Sequence, residues 1–298
     1  TDVAGLRMVM TGVFALAVLA AFLAVSRRVG RAAPFALFLP LAATTNALAM
    51  PDRAFSHGIA VAAVATGVAV TAVAASGGWR RAVLGAGFAA GLFCYLDLLT
   101  VPPMSWALCA AVAGAVTQRR TGVWTETFRT VLAVGAAWPV AFGFTWVSRW
   151  VIAAIAQGPS VFSTVEEVSA IRINGGDVSQ TFGAGIVANW NYWVDTSATA
   201  VPVLVAAGVV VLALLSVTAR RHGSRGLLAA AVLAAPALVV PAWYCVLSNH
   251  SQVHSFFTYR SVPAAVGVVV MAVVVTAGRR SVTTAPDVPQ VAGDVRVG

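Results

Sequence analysis

Apolar runs follow one another along this chain, most of them as long as a bilayer is thick, and arginine clusters fill every second gap between them. The runs are Leu6–Val25, Ala33–Met50, Gly58–Ser76, Ala82–Thr100, Pro103–Thr117, Thr130–Val147, Ala198–Thr218, Gly226–Leu247 and Ser261–Ala277. A helix needs about 17–25 apolar residues to cross the hydrocarbon core. Only 10% of the 298 residues are charged and 59% are hydrophobic, whereas a soluble domain carries about a quarter charged residues. Lipid has to answer the missing charge. The fold expected is all-α: a polytopic transmembrane bundle of about nine spans over residues 1–280, with residues 281–298, rich in Pro, Gly and Val, as a disordered cytoplasmic tail.

The net charge of +9 suggests nucleic acid until the positions are read. All 19 basic residues are arginine. Most of them cluster at Arg27, Arg28 and Arg31; Arg80 and Arg81; Arg119, Arg120 and Arg129; Arg220, Arg221 and Arg225; and Arg279 and Arg280. This is the positive-inside pattern of cytoplasmic turns, not a basic groove, and no nucleic-acid partner is expected. It predicts a cell (cytoplasmic) membrane protein whose N-terminus is extracytoplasmic and whose C-terminus is cytoplasmic. Arg7, Arg53, Arg149, Arg172 and Arg260 then fall outside, as do Asp52, Asp97, Glu166, Glu167, Asp177 and Asp195.

The gaps have individual character. Pro102-Pro103 should open a short fifth helix, because proline lacks the N–H that a helix start leaves unused anyway. Residues 149–196 form a long extracytoplasmic loop with short helices, one opened by a capping box at Ser163–Glu166. Asn189-Trp190-Asn191-Tyr192-Trp193 closes that loop as interfacial aromatics. Cys94, Cys109 and Cys245 have no pairing or zinc spacing and read as packed thiols. With no signal peptide and Thr1 just ahead of the first run, the chain reads as a piece of a longer protein.

The densest chemistry lies between the last two runs, in Ser248-Asn249-His250-Ser251-Gln252-Val253-His254-Ser255-Phe256-Phe257-Thr258-Tyr259-Arg260. On a helix, His250 and His254 would share a face. With Arg260 beyond them they suit an anionic group such as a phosphate; the bland alternative is a wetted loop. His-x3-His could supply two metal ligands, and only Asp97, across space, offers a third. No ligand motif supports a divalent metal, so the cofactor stays open and no metal residues are assigned. Asp97 is the one carboxylate embedded in an apolar run, so it must pair, stay protonated or meet water. It is a base or substrate ligand, or the ion-pair partner of Arg260 or Arg149. Arg149, among tryptophans, reads as an interfacial anchor, and Arg172 as anchor or phosphate clamp. Walker, dinucleotide and GxSxG motifs are absent, which speaks against nucleotide or serine-hydrolase chemistry.

Three segments carry a resemblance: Tyr95-Leu96-Asp97-Leu98-Leu99-Thr100-Val101-Pro102-Pro103, Trp146-Val147-Ser148-Arg149-Trp150, and Asn249 to Arg260. They resemble bacterial polytopic proteins related to GT-C glycosyltransferases, over Leu6 to about Ala277. The resemblance implies transfer of a sugar from a polyprenyl-phosphate carrier to an envelope glycan or lipid acceptor outside the cytoplasmic membrane. Such enzymes place a catalytic carboxylate in their first external loop; here that loop would lie upstream of Thr1. The motifs mark Asp97, His250, His254 and Arg260. Transfer chemistry assigns Asp97, His250 and His254 to catalysis, and Arg260, Arg172, Asn249, Tyr259 and Trp190 to substrate binding. Expected partners are a polyprenyl-phosphate-linked sugar, membrane lipids and envelope-assembly proteins. The rival readings are a lipid-linked-glycan flippase and a non-catalytic scaffold.

Overall fold

A computed structural model describes residues 2–49, 51–52, 58–96, 99–175, 178–179 and 181–278. The structured elements are helical: α1 (Val3–Arg28), α2 (Ala32–Thr44), α3 (Ile59–Ala75), α4 (Trp79–Leu96), α5 (Pro102–Thr121), α6 (Trp124–Gln157), α7 (Val161–Asn174) and α8 (Ala184–Thr196). They continue through α9 (Ala200–Ala234), a 3-10 turn (Ala235–Leu238), α10 (Val239–Val246), α11 (Ser248–Val253), α12 (Ser255–Thr258) and α13 (Ser261–Ala277). Each apolar run of the sequence overlaps a helix, though several runs leave it before their end. Among the described residues, four helical stretches are long and apolar enough to cross a membrane: Val3–Arg28, Trp124–Gln157, Ala200–Val246 and Ser255–Ala277. Their outer faces carry exposed Val13, Leu16, Val140, Phe144, Val205 and Leu212, a surface that suits lipid rather than water.

The bundle has two chemically different ends. At one, Arg28 Nε donates to Ser76 Oγ at 3.0 Å, and the Arg129 guanidinium lies 4.5 Å from the Trp79 ring centroid. At the other, Arg7 approaches Asp52 at 3.9 Å, Arg149 Nη1 donates to the Cys94 carbonyl at 3.1 Å, and Thr199 Oγ1 donates to the carbonyl of Ala43. The long helices therefore run between an arginine-rich end and an end where Asp52, Arg149 and Thr199 lie.

The stretch Ala200–Val246 is folded double. As one straight helix it would reach about 70 Å at 1.5 Å per residue. Yet Ala200 packs with Tyr259, and Tyr244 Oη donates to the Thr258 carbonyl at 2.6 Å, so both ends meet the same segment. The reversal sits at Gly223, whose φ of 57° and ψ of −151° belong to a region that only glycine enters at low cost. The arginines of this stretch, 220, 221 and 225, flank that turn.

α5 is the central post. Nearly every residue from Pro102 to Gln118 is buried, which small Ala, Ser, Cys and Gly side chains permit by letting neighbours approach. It starts with Pro102 at its first position and ends on Gly122 at φ 68°, the pairing expected of helix start and stop. Gln118 accepts from Thr127 at 2.6 Å and Thr117 donates to Thr130 at 3.2 Å, joining α5 to α6. α13 presses on α2 where Gly267 meets the Leu37 backbone with no room for a Cβ. In the middle of the bundle Trp138 stacks on Trp106 at 5.8 Å and on Phe142 at 5.1 Å, an apolar interior.

Some boundaries differ from expectation. α2 ends at Thr44, not Met50: Thr45 is extended at φ −138° and ψ 167°, and its hydroxyl accepts from the Ala47 N–H at 3.0 Å as the chain turns. α6 continues to Gln157. Ser163 does not cap α7: the helix starts at Val161 after Ser160, and Ser163 Oγ bonds the Ser160 carbonyl at 2.8 Å. The expected tail lies outside the described residues.

Candidate functional site

Arg172 stands in the last turn of α7, and its Nη1 lies 3.2 Å from His250 Nδ1. The other ring nitrogen, Nε2, lies 3.1 Å from the Leu99 carbonyl oxygen. A carbonyl only accepts, so Nε2 carries the proton and Nδ1 accepts from the guanidinium. Both nitrogens are engaged and the ring is neutral. His250 is only 4% exposed. Burial pushes its pKa down from 6.5 to about 4, against the opposing pull of the Leu99 carbonyl and with further help from His254 and Arg172.

His254 does not continue the helix; α11 stops at Val253, and His254 sits in the break before α12. Its ring nevertheless stays 4.6 Å from that of His250 and stacks on Phe257 at 5.2 Å. Burial and then the Arg172 charge lower its pKa as well. Asn249 Nδ2 donates to the Ile171 carbonyl, fastening α11 to the same turn of α7 that carries Arg172. Its Oδ1 and His254 Nδ1 are buried and have no hydrogen-bond partner among the described residues.

These four side chains line one cavity of about 490 Å³, with Val168, Ile171, Gly175 and Val253 completing its wall. The cavity therefore offers a guanidinium donor, an amide oxygen and a neutral imidazole at the polar end of the bundle. That set can hold an anion through Arg172 and a hydroxyl through Asn249. Among the described residues no group of three His, Cys, Asp or Glu side chains is arranged to hold a metal ion.

Arg260 and Tyr259 face a different group. Asn46 Oδ1 accepts from Arg260 Nε and Nη2 at 3.1 and 2.9 Å and from Tyr259 Oη at 3.4 Å. Arg260 is 5% exposed and leads into α13. Neither residue is among those that line the His250 cavity. Asp97 lies outside the described residues. Trp190 stays at the surface, edge-on to Trp193 at 5.5 Å, and lines neither group. Arg149 braces α6 against the end of α4, with its guanidinium 6.0 Å from the Tyr95 ring.

Sequence reasoning missed the supports. Asn189, read as part of an interfacial belt, is fully buried. Its Nδ2 donates to the Gly185 and Ser251 carbonyls, both at 2.8 Å, and its Oδ1 accepts from Thr258 at 2.6 Å. Trp193 is likewise buried. Asn46 had a signal, an amide closing an apolar run, but its partner lies 214 residues away. No family model, curated protein or solved structure matches the chain.

Proposed function

We propose that the chain is a polytopic membrane glycosyltransferase of about nine spans, which transfers a sugar from a polyprenyl-phosphate carrier on the extracytoplasmic side. The observation that carries this reading is Arg172, held by a neutral His250 at the wall of a cavity at the end opposite the arginine clusters. Under the positive-inside rule that end faces outward. The doubled stretch Ala200–Val246 supports the higher span count over four.

In this reading an acceptor hydroxyl oxygen attacks the anomeric carbon. The bond from that carbon to the phosphate oxygen breaks, the phosphate keeps the electron pair, and a carboxylate takes the hydroxyl proton. Arg172 stabilises the charge that grows on the departing oxygen. Asn249 Oδ1 orients a sugar hydroxyl. His250, with both nitrogens engaged, positions Arg172 and is not the base; that role falls to Asp97 on sequence grounds. The apolar, aromatic interior around Trp138 favours transfer over a flippase, which needs a polar path.

The test uses polyprenyl-phosphate monosaccharides, together with an envelope-glycan or glycolipid acceptor, in liposomes holding the purified protein. Polyprenyl phosphate should be released by the wild type, and release should fall about a hundredfold or more in Arg172→Ala, as for loss of one transition-state donor. Release at the wild-type rate in that variant would remove Arg172 from the site. Transport of intact donor without release would replace transfer by translocation.

A further inference from the structure

Arg172 borders a second cavity. Between α6 and α7 lies a space of about 210 Å³ whose wall includes Trp146, Trp150, Thr164, Ser169, Leu99 and Arg172. We infer that this space is a carbohydrate subsite that takes the single ring attached to the anion held at Arg172. The inference rests on the anion-site reading above and gives the ligand a second half.

Three observations converge on a sugar. Trp146 and Trp150, one helical turn apart, meet edge to face at 5.1 Å and 62°, so two aromatic walls stand at an angle. The C–H faces of a pyranose suit such walls, and its hydroxyl rim needs hydrogen-bonding groups beside them. Thr164 and Ser169 supply hydroxyls, and Arg172 supplies donors, on the facing helix. A lipid tail needs none of these. The α1–α2 flank makes the contrast, with a cavity of the same size walled by Phe22, Phe38, Leu41, Met104 and other apolar side chains.

Size and position agree. Whole-ligand sites run to about 300–1,000 Å³, so this space holds one part of a ligand rather than all of it. Val168 and Arg172 belong to the walls of both cavities. In a sugar phosphate the ring is a single oxygen away from phosphorus, so the Arg172 guanidinium in this wall can contact the phosphate while the ring lies against the tryptophans. Trp146 is itself packed on Phe142 at 6.1 Å, which fixes that wall to the bundle core.

The experiment is saturation-transfer NMR on the full chain in nanodiscs. The probes are the methyl glycosides of glucose, mannose, galactose and arabinose, with inorganic phosphate followed separately by phosphorus line broadening. Ring protons of at least one glycoside should take up saturation from the wild type. Trp150→Leu should weaken that transfer about fivefold or more, and Trp150→Phe should retain it. Phosphate broadening should persist in both variants, which also shows that they fold. No transfer to any glycoside while phosphate still broadens would overturn the carbohydrate subsite alone. The same holds for undiminished transfer in a Trp146→Leu, Trp150→Leu double variant. Absence of phosphate broadening in the wild type would instead overturn the anion site, and the subsite with it.

Discussion

Replacing His250 by glutamine should flatten the acid dependence of stability. In the folded chain Nδ1 accepts from Arg172 and Nε2 donates to Leu99, and the pKa falls from 6.5 to about 4. The unfolded chain binds the proton below about 6.5 while the folded chain refuses it until about 4. Stability from this residue is therefore complete above pH 6.5 and drains away as pH falls towards 4. The shift is worth about 3 kcal/mol at about 1.4 kcal/mol for each tenfold change, and the burial of the ring means solvent screening removes little of it. Glutamine can accept from Arg172 and donate to Leu99 without titrating. The assay is thermal unfolding in detergent between pH 7.5 and 4.5. The wild-type midpoint should fall by about 5–10 °C more than that of His250→Gln over this range. Amide exchange in α7, corrected for its intrinsic rate, should rise with acid in the wild type only. Parallel midpoints in the two proteins would refute the neutral, doubly bonded imidazole.

Asn189→Leu should cost about 2–3 kcal/mol, because the Ser251 carbonyl loses its 2.8 Å donor inside the protein; a thermal midpoint measures it. Gly267→Ala drives a methyl into the Leu37 backbone and should cost about 1–3 kcal/mol, read as lost monodispersity on size exclusion with retained expression. Arg260→Ala removes two donors from Asn46 Oδ1 and should cost about 1–3 kcal/mol; an unchanged thermal midpoint would show that these bonds do not brace the start of α13. Asp97→Asn should cripple turnover if that carboxylate takes the acceptor proton; normal turnover with a lowered midpoint would make it a structural ion-pair partner.

The helices were legible because hydrophobic length and arginine placement are local signals, readable without knowing any neighbour. Pro102-Pro103 marked the start of α5 for the same reason. The site was legible only as a list. Arg172 and His250 lie 78 residues apart, and no spacing rule says that α7 folds back over the His250 loop rather than out into solvent. The bonds from Arg260 to Asn46 were invisible because the two residues lie 214 positions apart and meet only through the turn that follows α2. Asn189 and Trp193 misled because amides and tryptophans beside a membrane look the same in sequence whether they face headgroups or fill a core. Pattern resolves which residues are unusual, while burial decides what each of them does.

The backbone at residue 223 has a bearing on assembly in the membrane. Two apolar segments joined by a tight basic bend can enter a bilayer together as a paired insert, with the guanidinium groups retained on the side of synthesis. A side chain at that one position would favour a continuous rod, whose far end would emerge on the opposite face. The imidazole loop would then be delivered to the wrong compartment with every one of its own residues intact. Which face of the membrane receives that loop thus turns on a single residue that touches none of it.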